Sequence, residues 1–136
     1  MIKAIIFDFF GVVEQQMLPN RPLLDYIKTE LKPKYKIGII SNAIGDVLYE
    51  ILLEDDVSLF DDIVISHRVG VAKPESAIYY FALKNLGVRA DEAVFIDDIE
   101  DFCDAARAVG IQAIRYQDFQ QMKTELDKLL SAGTDN

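Results

Sequence analysis

The segment AVFIDDIEDFCDAARAV, residues 93–109, changes its hydrophobic period halfway along. Ala93-Val94-Phe95-Ile96 is a continuous apolar run, the pattern of a strand covered on both faces. Beyond it the apolar residues are Ile99, Phe102, Cys103, Ala106 and Val109, the spacing of one helical face. Two carboxylates, Asp97 and Asp98, stand at the join. A covered strand leading straight into an amphipathic helix is the repeating step of an α/β fold, and the rest of the chain repeats it.

Four more runs have the same character: Ala4-Ile5-Ile6-Phe7, Ile37-Gly38-Ile39-Ile40, Ile63-Val64-Ile65 and Ile111-Gln112-Ala113-Ile114. Helical patterns separate them. Leu24, Ile27 and Leu31 follow Pro22 and stop before Pro33. Ile44, Val47, Leu48, Ile51 and Leu52 form a second apolar face. Ile78, Phe81, Ala82 and Leu86 form a third, with Pro74 near its first turn and Gly87 as its stop. Asp118 and Gln121 have capping-box spacing at the head of a last helix that turns Phe119, Met122, Leu126 and Leu129 inward. The expected fold is a three-layer α/β/α sandwich around a mostly parallel five-stranded sheet. Residues 1–136 form a single core domain, with 131–136 as a frayed tail. Cys103 points into the core as a structural thiol.

Composition narrows the function classes. The chain has 136 residues, 51% of them hydrophobic, enough for one proper core. No apolar run approaches the roughly 20 residues of a membrane span. The single cysteine allows no internal disulfide and suits a reducing cytoplasm. A net charge of −9 argues against nucleic acid as a partner. The expectation is a cytoplasmic protein with neither a nucleic-acid nor a membrane partner.

Ligands of a parallel sheet bind at the carboxyl ends of its strands. There the sequence sets Asp8, Ser41-Asn42, Ser66-His67 and Asp97-Asp98, with Lys73 at the start of the helix after the third strand. Each type has a task in phosphoryl transfer. Asp8 and Asp98 are hard oxygen ligands suited to Mg²⁺, which lets a carboxylate approach a phosphate. Ser41 and the amides after it, at a helix N-terminus, can cradle phosphate oxygens. Lys73 can neutralise both Asp8 and a phosphate, locally reversing the negative field of the chain. His67 reads as an ordinary surface residue.

Together these stretches resemble the haloacid dehalogenase-like hydrolase superfamily, in particular its phosphatase branch, from Ile2 to about Tyr116. IIFDFFGVV is similar to motif I, GIISNA to motif II, GVAKPESAIYYFALKNLGV to motif III and AVFIDDIEDFCDAARAVG to motif IV. The resemblance implies that Asp8 is a nucleophile that becomes an aspartyl phosphate. It makes Ser41, with Asn42, the phosphoryl-holding pair and Lys73 the bridge between nucleophile and phosphate. It places Mg²⁺ on Asp8, Asp98, the neighbouring Asp97 and the backbone carbonyl of Phe10. The implied substrate is a phosphorylated small molecule or a phosphoprotein.

Three departures from the family pattern bear on this. Phe10 stands where most family phosphatases carry a second Asp that protonates the leaving group and activates water, help worth roughly 10²–10⁴-fold. Only Glu14–Asn20 separates Val13 from the first core helix, so no cap domain fits and the site is open. Capless relatives act on macromolecules or cover the site by oligomerising, and an apolar rim of Phe9, Phe10, Val12 and Val13 suits a homo-oligomer. Phe102 occupies a motif IV position that is often Asn or Asp. The first reading is a slow, Mg²⁺-dependent phosphatase. The alternative is a catalytically degenerate domain that binds or regulates. A 2-haloacid dehalogenase ranks third, because that chemistry needs an enclosed apolar pocket with a carboxylate-binding arginine.

Overall fold

The computed structural model describes residues 1–132. In chain order the elements are β1 (Ala4–Phe7), β2 (Glu14–Gln15), β3 (Leu18–Pro19), α1 (Arg21–Tyr26) continued by a π-helical turn (Ile27–Leu31), and β4 (Lys36–Ser41). Then come α2 (Val47–Ile51), α3 (Glu54–Val57), β5 (Asp62–Ile65), α4 (Ser66–Val69), α5 (Ser76–Leu86), β6 (Ala93–Asp97), α6 (Glu100–Ala108), β7 (Gln112–Arg115) and α7 (Phe119–Ala132). Five strands form one sheet in the order β5-β4-β1-β6-β7, and every pairing in it is parallel. A separate two-stranded hairpin, β2-β3, follows β1.

β1 is central and buried on both faces because its alternate side chains feed two cores. Ile5 and Phe7 join Leu23, Leu24, Ile27 and Leu31 from α1 and its π turn, with Met122 and Leu126 from α7. Ala4 and Ile6 join Ile78, Tyr79, Ala82 and Leu86 of α5 and Ala106 of α6. The result is the expected three-layer sandwich. Helix ends follow local chemistry: the Asn20 side chain accepts the Leu23 N–H at 3.4 Å, and Gly87 closes α5 at φ 70°. Asp118 and Gln121 cap α7 reciprocally, at 2.8 and 3.3 Å.

Several expectations give way to packing. Strand β4 does not run into a helix after Ser41-Asn42. Of the second apolar pattern, Val47, Leu48 and Ile51 lie in α2, Leu52 is extended beyond it, and Ile44 is 84% exposed rather than inward. Gly45, at φ 76°, turns the chain away before helix can form. On α5 the buried stripe is Ile78, Tyr79, Ala82, Leu83 and Leu86, so Phe81 falls on the solvent side. Lys73 and Pro74 precede α5, which opens at Ser76. Ile111 lies just outside β7. Phe9, Val12 and Val13 are fully buried in the core beside α1, so of the expected apolar rim only Phe10 reaches the surface. Ser131 and Ala132 are helical; the rest of the expected frayed tail, 133–136, lies outside the described residues. No helix among the described residues is long and apolar enough to cross a membrane.

Candidate active site

β1 is the first strand laid down; the chain then builds outward on one side through β4 and β5 before returning to the other side with β6 and β7. The reversal point of such a sheet leaves a crevice at the strand ends, here between β1 and β6. Phe7 pairs with Ile96 across it, so Asp8 and Asp97 stand side by side just beyond. The Asp8 N–H donates to the Ile96 carbonyl at 2.8 Å, which fixes the start of the loop.

Lys73 Nζ sits 2.7 Å from Asp8 Oδ1 and 2.8 Å from Asp97 Oδ2, and all three residues are buried. The ammonium also lies 5.5 Å from the Phe95 ring centre and 5.1 Å from that of Phe102. Its backbone is held by Asn42, whose Nδ2 donates to the Lys73 carbonyl and whose Oδ1 accepts the Lys73 N–H, both at 2.9 Å. Asn42, expected on the phosphate side, borders the pocket while its amide positions the lysine. Asp97 is engaged at both oxygens, since Oδ1 accepts the Ile99 N–H at 3.0 Å. Burial pushes the Asp8 and Asp97 carboxyls up, and the shared ammonium pulls both back toward ionisation.

Two buried oxygens here have no protein partner: Ser41 Oγ and Asp98 Oδ1. Buried polar atoms are nearly always hydrogen-bonded, so an unmet pair at the carboxyl edge of the sheet, one on each side of β1, calls for a ligand. Asp8, Asp97 and Asp98 each offer an oxygen within 4.8 Å of the others, and the donor set is all oxygen. That chemistry fits a hard divalent cation such as Mg²⁺. Ser41 ends β4 with no helix N-terminus after it, so the expected cradle of helix amides is not built there. Lys73 does not reverse the local field either, because two carboxylates already consume its charge.

The loop after Asp8 is tied by backbone and carboxylate. Glu14 N–H donates to the Phe9 carbonyl at 2.9 Å. Glu14 Oε1 accepts the Gly11 N–H at 3.1 Å and Oε2 the Met17 N–H at 2.8 Å. Nothing in the spacing of Glu14 announces this task; the residue shows it only through its burial. Asp8, Phe10, Gly11, Asn42, Lys73, Asp98, Ile99 and Phe102 line a pocket of about 320 Å³. Larger grooves, of about 470 and 570 Å³, lie along Tyr26 and Lys123 and along Met1 and Lys36. Both open away from the carboxylates, so size is a poor guide to chemistry here. His67 borders a separate groove with Ser66 and Glu75. Cys103 is buried, its thiol pushed up to about 12 by burial, as a structural cysteine should be.

The chain is 31% identical over 110 residues to glyceraldehyde 3-phosphate phosphatase of Methanopyrus kandleri, covering 74% of this chain and 47% of that protein. It therefore spans about half the length of this curated relative. An uncharacterized protein of Corynebacterium glutamicum superposes with a TM-score of 0.84 at 22% identity, covering 96% of each chain. A HAD family enzyme of Bacteroides thetaiotaomicron, solved with magnesium and inorganic phosphate, superposes at 0.73 with 18% identity, over 90% of this chain and 99% of that one. These two likenesses speak for the fold. Residues 5–116, which hold every residue of the carboxylate pocket, match the family model of haloacid dehalogenase-like hydrolases, and the chain belongs to that family.

Proposed function

We propose that this chain is a Mg²⁺-dependent phosphatase-type hydrolase in which a phosphoryl group passes through Asp8. The observation that carries the reading is the pair of unmet buried oxygens flanking the Asp8–Lys73–Asp97 ion cluster: Ser41 Oγ, suited to a phosphate oxygen, and Asp98 Oδ1, suited to a cation. Asp8, Asp98 and the Phe10 carbonyl would hold the metal. Asp97 would stand beside them, its two oxygens shared with Lys73 and the Ile99 N–H, so that it also positions the lysine. Bound Mg²⁺ supplies the positive charge that lets a phosphate dianion approach a carboxylate.

Asp8 Oδ1, which accepts from Lys73, would also be the oxygen given to the metal, and Oδ2 is left to attack phosphorus. The new Oδ2–P bond forms as the ester P–O bond breaks, and the leaving oxygen departs with its electron pair. Ser41 donates its hydroxyl proton in a hydrogen bond to a phosphoryl oxygen. Water then attacks the acyl phosphate, which restores the Asp8 carboxylate and releases inorganic phosphate. Phe10 can neither give nor take a proton, so both steps run without the help such a group gives, and turnover is slow.

The pocket lining contains no arginine, which speaks against carboxylate recognition of the 2-haloacid kind. A phosphatase screen with and without Mg²⁺, with Asp8→Asn as the blank, tests the proposal. The expected result is slow, Mg²⁺-dependent phosphate release that Asp8→Asn abolishes. Release persisting in that variant removes Asp8 as nucleophile. Binding of Mg²⁺ without any turnover favours the non-catalytic reading that Phe10 already invites.

A further inference from the structure

The two aromatic departures of the sequence, Phe10 and Phe102, lie far apart along the chain yet line the same pocket, together with Ile99. Their depth differs from that of the polar groups. Asp8 and Lys73 form the floor, 6% and 4% exposed, whereas Ile99 is 45% exposed and the two rings are half-buried. A phosphoryl group delivered to the floor must point its leaving group out between these apolar side chains. Phe10 packs edge-on against Phe9 at 4.9 Å, so its ring is braced rather than loose. The Phe102 backbone is anchored as well, its carbonyl accepting the Tyr79 hydroxyl at 2.8 Å.

The same lining lacks a proton donor for that leaving group. Its titratable members are Asp8, Asp98 and Lys73: the first is the attacking carboxylate, the second is given to the cation, and Lys73 is tied down by two carboxylates. The pocket therefore welcomes an apolar ring at its mouth and offers nothing to protonate an alkoxide.

We infer that this site takes phosphate monoesters of phenols in preference to those of alcohols, an inference that rests on the phosphatase reading above. The ring fills the space between Phe10, Ile99 and Phe102. As the Asp8 Oδ2–P bond forms, the P–O(aryl) bond breaks, and the aryl oxide leaves with the electron pair and takes its proton from solvent. A phenoxide can leave so because it is far less basic than an alkoxide.

The test compares phenyl phosphate with cyclohexyl phosphate, rings of similar size and apolarity but different basicity once cleaved. Acetyl phosphate, whose leaving group needs neither a ring nor a proton, serves as the reference for Asp8-dependent turnover. The expected kcat/KM ratio of phenyl to cyclohexyl ester is about 10²-fold or more, the lower end of what a missing general acid costs. Ile99→Ser is expected to fold normally, because Ile99 caps α6 through its backbone and Ser is favoured there. In both Ile99→Ser and Phe102→Asn, KM for phenyl phosphate should rise relative to KM for acetyl phosphate. Asp8-dependent turnover of acetyl phosphate, with equal rates on the two ring esters or an unchanged KM ratio in both variants, overturns the inference and leaves the phosphatase reading standing. Failure on all three substrates removes both.

Discussion

Gly11 is the residue on which the site's geometry turns. Its φ is +85°, and a Cβ added there would lie 2.4 Å from Asp98 Oδ2. Gly11→Ala therefore carries two costs: a backbone conformation worth about 1–2 kcal/mol against an L side chain, and displacement of the carboxylate offered to the cation. Gly70 separates the two, since its φ is +79° and an added Cβ would meet nothing within 4 Å. Thermal denaturation with and without Mg²⁺ should show both alanine variants destabilised, Gly11→Ala more so. Only Gly11→Ala should lose part of the Mg²⁺-induced rise in melting temperature; equal losses in the two variants would mean that Asp98 has room to move aside. At this scale the sequence is half legible. Asp8, Ser41 and Asp98 stand out from their places at or just past strand ends, and Lys73 from its place at the head of the helix after the third strand. Glu14 and the clamping task of Asn42 are not, because each depends on partners that only the folded loop brings near.

The hairpin β2-β3 follows the pocket loop and is tied to it through the Glu14 carboxylate, which accepts the Gly11 N–H. Gln15 pairs with Leu18 across a two-residue turn, and both turn residues, Gln16 and Met17, have positive φ, 54° and 66°. A turn of this shape favours Asn-Gly, and neither Gln nor Met is at ease in it. The Glu14 carboxylate offsets the strain by accepting the Met17 N–H. Replacing Gln16-Met17 by Asn-Gly should therefore raise stability by about 1 kcal/mol or more, measured as the shift of a urea midpoint with unchanged slope. A lower midpoint would show that Met17, 62% exposed, contributes packing that its exposure conceals. Elements of this kind escape sequence reading because the turn residues are not turn-formers, whereas the core strands announce themselves by nearly continuous apolar runs, interrupted by Gln112 in β7. The segment after β4 fails for the opposite reason. Its apolar spacing suggests one helix from Ile44 to Leu52, but Gly45 at positive φ and the extended Leu52 trim it to Val47–Ile51, which only the competition for core space decides.

Across the whole molecule the charge balance decides what the site can bind. The chain carries a formal −9, and the pocket's own cluster sets three carboxyls, Asp8, Asp97 and Asp98, against the single ammonium of Lys73. Without a cation, the Asp98 carboxylate is a liability: one oxygen is buried without a partner and repels its neighbours. With a divalent cation the same carboxylate becomes a ligand, and binding to the folded state alone adds about 2.7 kcal/mol when Mg²⁺ stands a hundredfold above its Kd. For a chain of this size that is a rise of roughly 5–10 °C in melting temperature. Asp98→Ala should consequently act in opposite directions. In the absence of Mg²⁺ it removes an unmet buried group and raises stability by about 1 kcal/mol. In saturating Mg²⁺ it forfeits most of the ligand's contribution and melts below the wild type. Melting curves of the two proteins across an Mg²⁺ titration should therefore cross. Parallel curves would place the ion on the acidic surface, and a variant less stable at every concentration would mean that Asp98 holds the Gly11 loop by itself, with the cation secondary.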